Sequence, residues 1–498
     1  DGLVHSTTDG GASWSRAQAL PGVPARSFIN DVEASLFDAG TVFAVADAHK
    51  VGDFSPYVFV SNDHGGSWRS IAGDLPEGTI AWAIQQDHVN RDLLFLGTEF
   101  GVYFSLNGGE NWHKLAGAPT IAFRDIKLQR RDNDLVGATF GRGFYILDDY
   151  SALRTMAQTG FGEKPELFPV RDAWWYIPSV PMQAAGMPTL GSDSYVSANP
   201  DFGAVFTYYL DEPFQTARDQ RHEVESKLRD QASDVPFPGW DRLTAESLEA
   251  DPQVLILVSD EAGNPVRWLE AINERGTHRV SWDLRFPAVN PIDLSTPEFS
   301  PPWETDPQGP LAAPGPYSAQ LIAVTGEQVL PLGEAQPFNV KPVHEVLPGS
   351  DYAEIARYQQ ETSELLRDIM KTGAVLDQKL ELLGKMKAAA MAAPRAEPGL
   401  FQDLDRLGAE LTRIKTRLSG DPVRQGLNES TSPSIQGRAY NAASTWRTTQ
   451  AATSTQRSDF EQAKRDFASL SAGLDSLLND ELGRLQQELV NAGAPGWL

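Results

Sequence analysis

Three stretches of this 498-residue sequence align without a gap: Thr7-Thr-Asp-Gly-Gly-Ala-Ser-Trp14, Ser61-Asn-Asp-His-Gly-Gly-Ser-Trp68 and Ser105-Leu-Asn-Gly-Gly-Glu-Asn-Trp112. Their common pattern is a hydroxyl, any residue, Asp or Asn, any residue, Gly, two further residues and Trp. Each part has a mechanical reason. A short polar side chain accepts hydrogen bonds from the backbone of a tight turn. Glycine supplies the positive φ such a turn needs. The tryptophan opens the next strand and has the bulk to fill the gap between neighbouring sheets. A repeat at fixed spacing constrains a fold more than any composition does.

Each copy follows a short apolar strand: Leu3-Val4-His5, Tyr57-Val-Phe-Val60 and Gly101-Val-Tyr-Phe104. The spacing of about 45 to 55 residues is that of a four-stranded propeller blade. One blade is laid out by strands at Phe28-Ile-Asn-Asp-Val-Glu-Ala34, Thr41-Val-Phe-Ala-Val-Ala46, Tyr57–Val60 and Trp68-Arg-Ser-Ile71. The next uses Ala81-Trp-Ala-Ile84, Leu93-Leu-Phe-Leu96, Val102-Tyr-Phe104 and Trp112-His-Lys-Leu115, and a last one Phe123-Arg-Asp-Ile-Lys-Leu128, Asp134–Ala138 and Phe144–Leu147. The first blade has only its third and fourth strands, and the last has no evident outer strand. Such edges invite pairing, so the missing blades are expected from an N-terminal fragment or another chain.

The repeated turns join third strands to fourth strands. Connections between second and third strands, and between blades, open on the opposite rim, where propellers bind ligands. That rim would carry Arg26, Asp47, His49, Lys50, Asp53, Trp82, Glu99, Phe100, Arg124 and Arg142, with Asp47 to Asp53 in a long insertion. Arginines beside carboxylates and an aromatic ring can grip a sugar acid or a peptide terminus. Ordinary rim residues look the same. In the turns themselves Thr7, Asp9, Gly11, Trp14, Ser61, Asp63, Gly65, Trp68, Ser105, Asn107, Gly109 and Trp112 read as structural.

Beyond Leu153-Arg154 the pattern changes. Ala204–Leu210, Val254–Val258, Val266–Leu269, His278–Leu284 and Tyr317–Val324 are short strands among many prolines, with Glu261-Ala-Gly-Asn264 as a turn,. Antiparallel strands of this length predict an immunoglobulin-like sandwich. The charged run between Thr216 and Gln231 predicts an exposed helical insertion, and Pro287 to Pro316 a proline-rich linker. From Ser350 apolar residues step by three and four: Ile355, Tyr358, Thr362, Leu365, Ile369; then Leu404, Leu407, Leu411, Ile414, Leu418; then Phe467, Leu470, Leu474, Leu477,. Ala393-Pro394 and Gly420-Asp421-Pro422 interrupt them. An antiparallel helical bundle satisfies this pattern, and a coiled coil with a partner chain is its rival. The expected fold is therefore multidomain and mainly β plus α: blades over 1–155, a sandwich over 156–345 and a helical bundle over 346–498.

Composition narrows the function. A net charge of -25 argues against a nucleic-acid partner,. The absence of cysteine excludes disulfides, thiolate metal sites and cysteine nucleophiles,. No stretch approaches the ~20 apolar residues of a membrane span. The start at Asp1 reads as a processed or truncated N-terminus. The eight histidines show no paired spacing, and no phosphate-binding or nucleophile motif occurs,. No metal or cofactor is expected. Two carboxylates about 5–10 Å apart would be needed by a glycosidase, and no pair is evident among Asp47, Asp53 and Glu99.

The repeated turn resembles the Asp box of sialidases, xyloglucan-degrading hydrolases and sortilin-type ectodomains, where it is a structural turn. The order of those turns, Gly141-Arg-Gly-Phe-Tyr-Ile-Leu-Asp-Asp149, Gly203-Ala-Val-Phe-Thr-Tyr-Tyr-Leu210, Ser281-Trp-Asp-Leu-Arg285 and a helical end resembles a bacterial family with a sortilin-like (VPS10-like) propeller, often labelled glycosyl hydrolase or BNR-repeat protein. The resemblance implies export to the periplasm, cell surface or medium, with this chain the C-terminal portion of a large propeller. It implies an extracytoplasmic binding or scaffold protein for a peptide, protein or glycan. The alternatives are a glycoside hydrolase acting on extracellular polysaccharide and a subunit of a cell-envelope complex. Asn107, in place of Asp in the third box, departs from the family pattern.

Overall fold

The structure is a computed structural model that describes residues 2–160, 164–178, 197, 199–294, 306–326, 328–343 and 351–497. It mixes β sheets with helices gathered at the C-terminal end. The chain divides into two compact units. The first holds residues 1–169, 207–215 and 273–278; the second holds 170–206, 216–272 and 279–498.

In the first unit the repeats build successive antiparallel sheets. A two-stranded piece, β1 (His5–Ser6) and β2 (Ser15–Arg16), comes first. Two four-stranded meanders follow: β3 (Phe28–Ala34), β4 (Val42–Ala48), β5 (Asp53–Ser61), β6 (Arg69–Ser70), then β7 (Ala81–Gln86), β8 (Leu94–Thr98), β9 (Gly101–Ser105), β10 (His113–Lys114). A three-stranded sheet ends the series: β11 (Phe123–Gln129), β12 (Asp134–Thr139), β13 (Phe144–Leu147). The strand inventory follows the sequence reading, with the first sheet lacking inner strands and the last an outer one.

Alternation along each strand sends one set of side chains to the sheet before and the other to the sheet after. Phe43, Val45, Val58 and Val60 of the second sheet meet Ala81, Ile84, Leu94 and Leu96 of the third. Phe95, Val102 and Phe104 of the third meet Phe123, Ile126 and Leu135 of the last. A buried ion pair fixes the end of the series. Arg154, on the helix Ala152–Thr159, grips Asp87 through Nε at 2.8 Å and Nη2 at 2.7 Å, and the Tyr150 hydroxyl donates to Asp87 at 2.8 Å. Burial pushes the Asp87 carboxyl up, yet the guanidinium, the Asn90 amide and Tyr150 outweigh it and hold it below the usual carboxylate range,.

The repeated turns use one hydrogen-bond scheme three times. The hydroxyl of Thr7, Ser61 or Ser105 accepts from the amide of Gly11, Gly65 or Gly109 at 3.0, 2.8 and 2.8 Å. The carboxylate or amide oxygen of Asp9, Asp63 or Asn107 accepts from the amide four residues on, at 2.9, 2.8 and 2.9 Å. Those glycines stand at φ of 94°, 87° and 92°, the left-handed region expected of them,. Hydrogen bonds from Ser67, first its hydroxyl and then its amide, hold the Asp63 carboxyl at about 2. Asn107 makes the same backbone bond with its oxygen and turns its amide to Asn111. Only the tryptophans diverge. Trp68 and Trp112 are buried, and Trp112 Nε1 donates to the Ile71 carbonyl at 2.8 Å. Trp14 is exposed and fills no gap, because no sheet stands before it to receive it. In each copy the strand begins one residue after the tryptophan.

In the second unit Gln253–Asp260, Pro265–Ala271, Gly315–Thr325, Gln328–Pro331 and Gln336–Pro342 form an antiparallel sheet, to which Ala173–Trp175 adds in parallel at one edge. Tyr317 and Phe338 of this sheet are packed ring against ring with Phe206 and Trp282, which lie on strands of a separate sheet. The charged run is the helix Ala217–Asp230, capped by Thr216, as the sequence indicated. A second helix, Trp240–Leu248, was not foreseen; Arg221 bridges both through Glu225 and Glu246. The expected linker needs correction. Residues 309–312 are buried, Arg285 pairs with Leu311, and Val289 enters the helical core, because these apolar side chains find partners despite the prolines; 295–305 lie outside the described residues.

The helices Tyr352–Met391, Pro398–Ser419, Ile435–Ala443, Ser454–Asp475 and Leu482–Ala492 share a single core. Leu404, Leu407, Leu411 and Leu418 are buried in it with Ile369, Leu470 and Leu474, as the periodicity indicated. The breaks fall at the two expected proline sites. Among the described residues no helix is long and apolar enough to cross a membrane.

Candidate binding face of the first unit

The innermost strand of each of the last three sheets carries a β-bulge at one position: between Ile29 and Asp31, between Ala81 and Ala83, and between Phe123 and Asp125. The residues left out of register are Asn30, Trp82 and Arg124. A bulge re-aims the side chain it releases. At this end of the strands, opposite the repeated turns, Asn30 donates to the Ala81 carbonyl at 2.9 Å, while Trp82 and Arg124 meet the turns that join second to third strands.

The meeting is specific. The Arg124 guanidinium lies 3.4 Å from the centre of the Trp82 ring, a cation–π stack. Trp82 Nε1 donates to Glu99 Oε2 at 2.9 Å, and Arg124 Nη2 stands 3.7 Å from the same oxygen. His49 meets the Trp82 ring edge-on at 5.8 Å. These four side chains, with Phe54, Phe100, Ile80 and Gly78, line an open cavity of about 300 Å³. The phenyl rings of Phe54 and Phe100 are more than half exposed, and Arg124 is partly so.

Of the ten rim residues singled out from the sequence, His49, Trp82, Glu99, Phe100 and Arg124 come together in this cavity. Asp47 is buried behind it: its Oδ1 accepts from the His49 amide at 2.9 Å and contacts His49 Nδ1. Its place is to orient the imidazole. Asp53 is elsewhere, accepting from the Tyr57 hydroxyl at 2.6 Å and the Ser55 amide at 3.0 Å. The hydrogen bond from Tyr57 holds its carboxyl below the usual range. The expected long insertion is instead a tight turn, His49–Val51, closed by the pairing of Ala48 with Asp53, because β5 begins four residues earlier than its apolar core suggests. Lys50 leaves the cavity to sit 4.3 Å over the Phe28 ring. Arg26 is exposed in a turn at φ 69°. Arg142 is exposed between Gly141 and Gly143, both with positive φ. Phe54, Gly78 and Ile80 were missed; Phe54 adjoins Asp53, which sequence reading had placed on the rim, and Ile80 lies two residues before Trp82, which was the available signal.

Among the described residues lining the cavity, Glu99 is the one carboxylate, and the Trp82 indole engages it. Groups of three or more His, Asp or Glu that could hold a metal are absent among the described residues.

No protein-family signature and no curated protein matches this chain. Solved structures similar to it include an ancestral GH74 enzyme (18% identity, 42% of this chain and 28% of that one, TM-score 0.24). Another is PorZ, a surface component of the type-IX secretion system of Porphyromonas gingivalis (13% identity, 66% and 41% covered, TM-score 0.25). A third is the GH74 xyloglucanase of Xanthomonas campestris (14% identity, 61% and 38% covered, TM-score 0.20). The matches span less than half the length of each of these chains.

Proposed function

We propose that this chain belongs to an extracytoplasmic, non-catalytic binding protein whose first unit is part of an Asp-box propeller of sortilin-like type. The rim cavity of His49, Trp82, Glu99 and Arg124 holds a peptide, protein or glycan. The strands of the second unit form an immunoglobulin-like sandwich and, with the helical bundle, serve assembly. The observation that carries this reading is the way the cavity spends its polar groups. Trp82 is stacked by Arg124 and hydrogen-bonded to Glu99, so the indole is a rigid platform rather than a reactive centre. The partly exposed Arg124 guanidinium lines the same cavity as the open side chains of Phe54 and Phe100, a combination suited to a carboxylate or a hydroxyl-bearing ring with an apolar face,.

A hydrolase needs two carboxylates facing each other across the scissile bond. Here Glu99 stands without a second one on the cavity wall. The test is a panel of polysaccharides, oligosaccharides and peptides, scored for binding and for turnover by the intact protein. The reading expects a bound member without turnover, with Arg124→Ala weakening binding at least tenfold and Glu99→Gln weakening it less. Hydrolysis abolished by Glu99→Gln would establish the glycoside hydrolase instead.

A further inference from the structure

Strand pairing equates the sheets of the first unit residue by residue. Gly97 and Ala138 share a position, as do the buried Val102 and the exposed Phe144 across from them. Asn30, Trp82 and Arg124 share the bulge. The turn residues Glu99 and Phe140 also correspond: their amides donate to the carbonyls of Ile80 and Ala122 at 3.0 and 2.9 Å. The last sheet therefore puts Phe140 where its neighbour puts Glu99, and adds Arg142 two residues on. The Arg124 guanidinium, 3.4 Å from the centre of the Trp82 ring, is also 5.4 Å from that of Phe140. Among the described residues nothing accepts a hydrogen bond from it, and the Glu99 carboxylate stands 3.7 Å away. Phe54, Phe100 and Phe140 lie in or beside the turns joining second to third strands of three successive sheets, and are 52%, 56% and 73% exposed.

We propose that the ligand of this face is an acidic polysaccharide, a chain of pyranose rings in which uronic acid residues recur, lying across the turns of three sheets. The assignment rests on the rim being the binding face. A cavity of about 300 Å³ has room for one such ring and not for a folded domain,. Three observations select the chemistry. A guanidinium stacked on an indole, with its N–H edge unspent, matches a planar carboxylate, which takes two of those bonds at once. The carboxylates of the rim are spent inside the protein: Glu99 accepts from Trp82, Asp47 from His49, and Asp53 from Tyr57 and Ser55. Neither Arg124 nor Arg142 donates a hydrogen bond to protein among the described residues. The exposed phenyl rings recur once per sheet, and each can cover the apolar C–H face of one pyranose. A peptide offers its terminal carboxylate once. A uronate chain offers carboxylate and apolar ring together, again and again, so Arg124 with Phe54 and Phe100 engages one residue while Phe140 and Arg142 meet a later one.

The test is titration calorimetry of the intact protein with oligogalacturonates and oligomannuronates from monomer to hexamer. The same hexamers with their carboxyl groups reduced to alcohols, a neutral cello-oligosaccharide and peptides with free C-termini complete the panel. The proposal expects acidic oligomers to bind more tightly as they lengthen. Carboxyl reduction should weaken the hexamer about tenfold or more, and Arg124→Lys, which keeps the charge without the planar fork, should do the same. Phe140→Ala removes an exposed ring, so the fold tolerates it; it should weaken the hexamer about threefold and leave the monosaccharide unchanged. Equal affinity for acidic and reduced hexamers overturns the proposal, as does affinity independent of length, or no binding of acidic oligomers. A neutral glycan or a peptide bound in their place, and released by Arg124→Ala, overturns the uronate assignment while leaving the rim as the binding face. Acidic oligomers that bind wild-type, Arg124→Lys and Phe140→Ala protein alike remove the rim itself.

Discussion

The sheet series and the C-terminal helices solve one problem in opposite ways. Each helix presents an apolar stripe, and the five stripes close on one another: Leu366, Ile369, Leu404, Leu411 and Leu489 are all buried in a single cluster. Each sheet presents two apolar faces, so every sheet added brings one face that needs a further neighbour. A bundle can finish itself, whereas a stack cannot unless it closes into a ring. Cores within the stack are accordingly pairwise, with separate clusters between successive sheets.

This contrast is breakable by substitution. The largest effects are expected where cover is complete on every side. Leu411→Ala in the helices and Phe95→Ala in the third sheet each remove a fully buried side chain and should cost about 2–5 kcal/mol, read by denaturant unfolding of the corresponding transition. Phe144→Ala, at the equivalent of a buried position, should cost under about 0.5 kcal/mol. A cost comparable to that of Phe95→Ala would show that the last sheet is already covered. Next comes Arg154→Met, which strands the Asp87 carboxylate in a buried site and should cost about 3–5 kcal/mol.

A smaller and graded effect is expected at the tryptophans. Trp112→Phe loses the bond to the Ile71 carbonyl and should cost about 1–3 kcal/mol, while Trp14→Phe should be silent in the same melt. The smallest effect is in pH. Asp87 and Asp63 have folded-state pKa values below those of the unfolded chain. Their contribution is thus complete above about pH 4 and lost as pH falls through the folded values, towards about 2 for Asp63,. The first unit should lose stability over that window, and Asp87→Asn, which costs stability at neutral pH, should flatten the dependence.

Legibility followed periodicity. The repeated turns, the strand order and the helical stripes could be read directly because each is a local pattern with a fixed step. The candidate face was half legible. His49 and Glu99 fall in turns whose side of the sheet follows from strand direction. That Trp82 and Arg124 stack depends on a β-bulge in each innermost strand, and a bulge leaves no mark in the alternation of Ala81-Trp-Ala-Ile84 or Phe123-Arg-Asp-Ile126. Asp53 misled for a related reason: β5 extends through Phe54-Ser-Pro56, polar enough to read as loop, and carries the aspartate into pairing with Ala48. The stretch from Pro287 to Pro316 reads as linker by composition, yet Leu311 and Ala312 are buried; long-range apolar contacts of this kind have no periodic signature.

The central claim is that one sheet is built repeatedly and differs only in what lies over it. Hydrogen exchange of the backbone amides of 1–498 tests this directly, by comparing β9 (Gly101–Ser105) with its equivalent β13 (Phe144–Leu147). The account predicts that amides of β13, open on one edge and one face, exchange at least a hundredfold faster than those of β9. Equal protection of the two strands would contradict it.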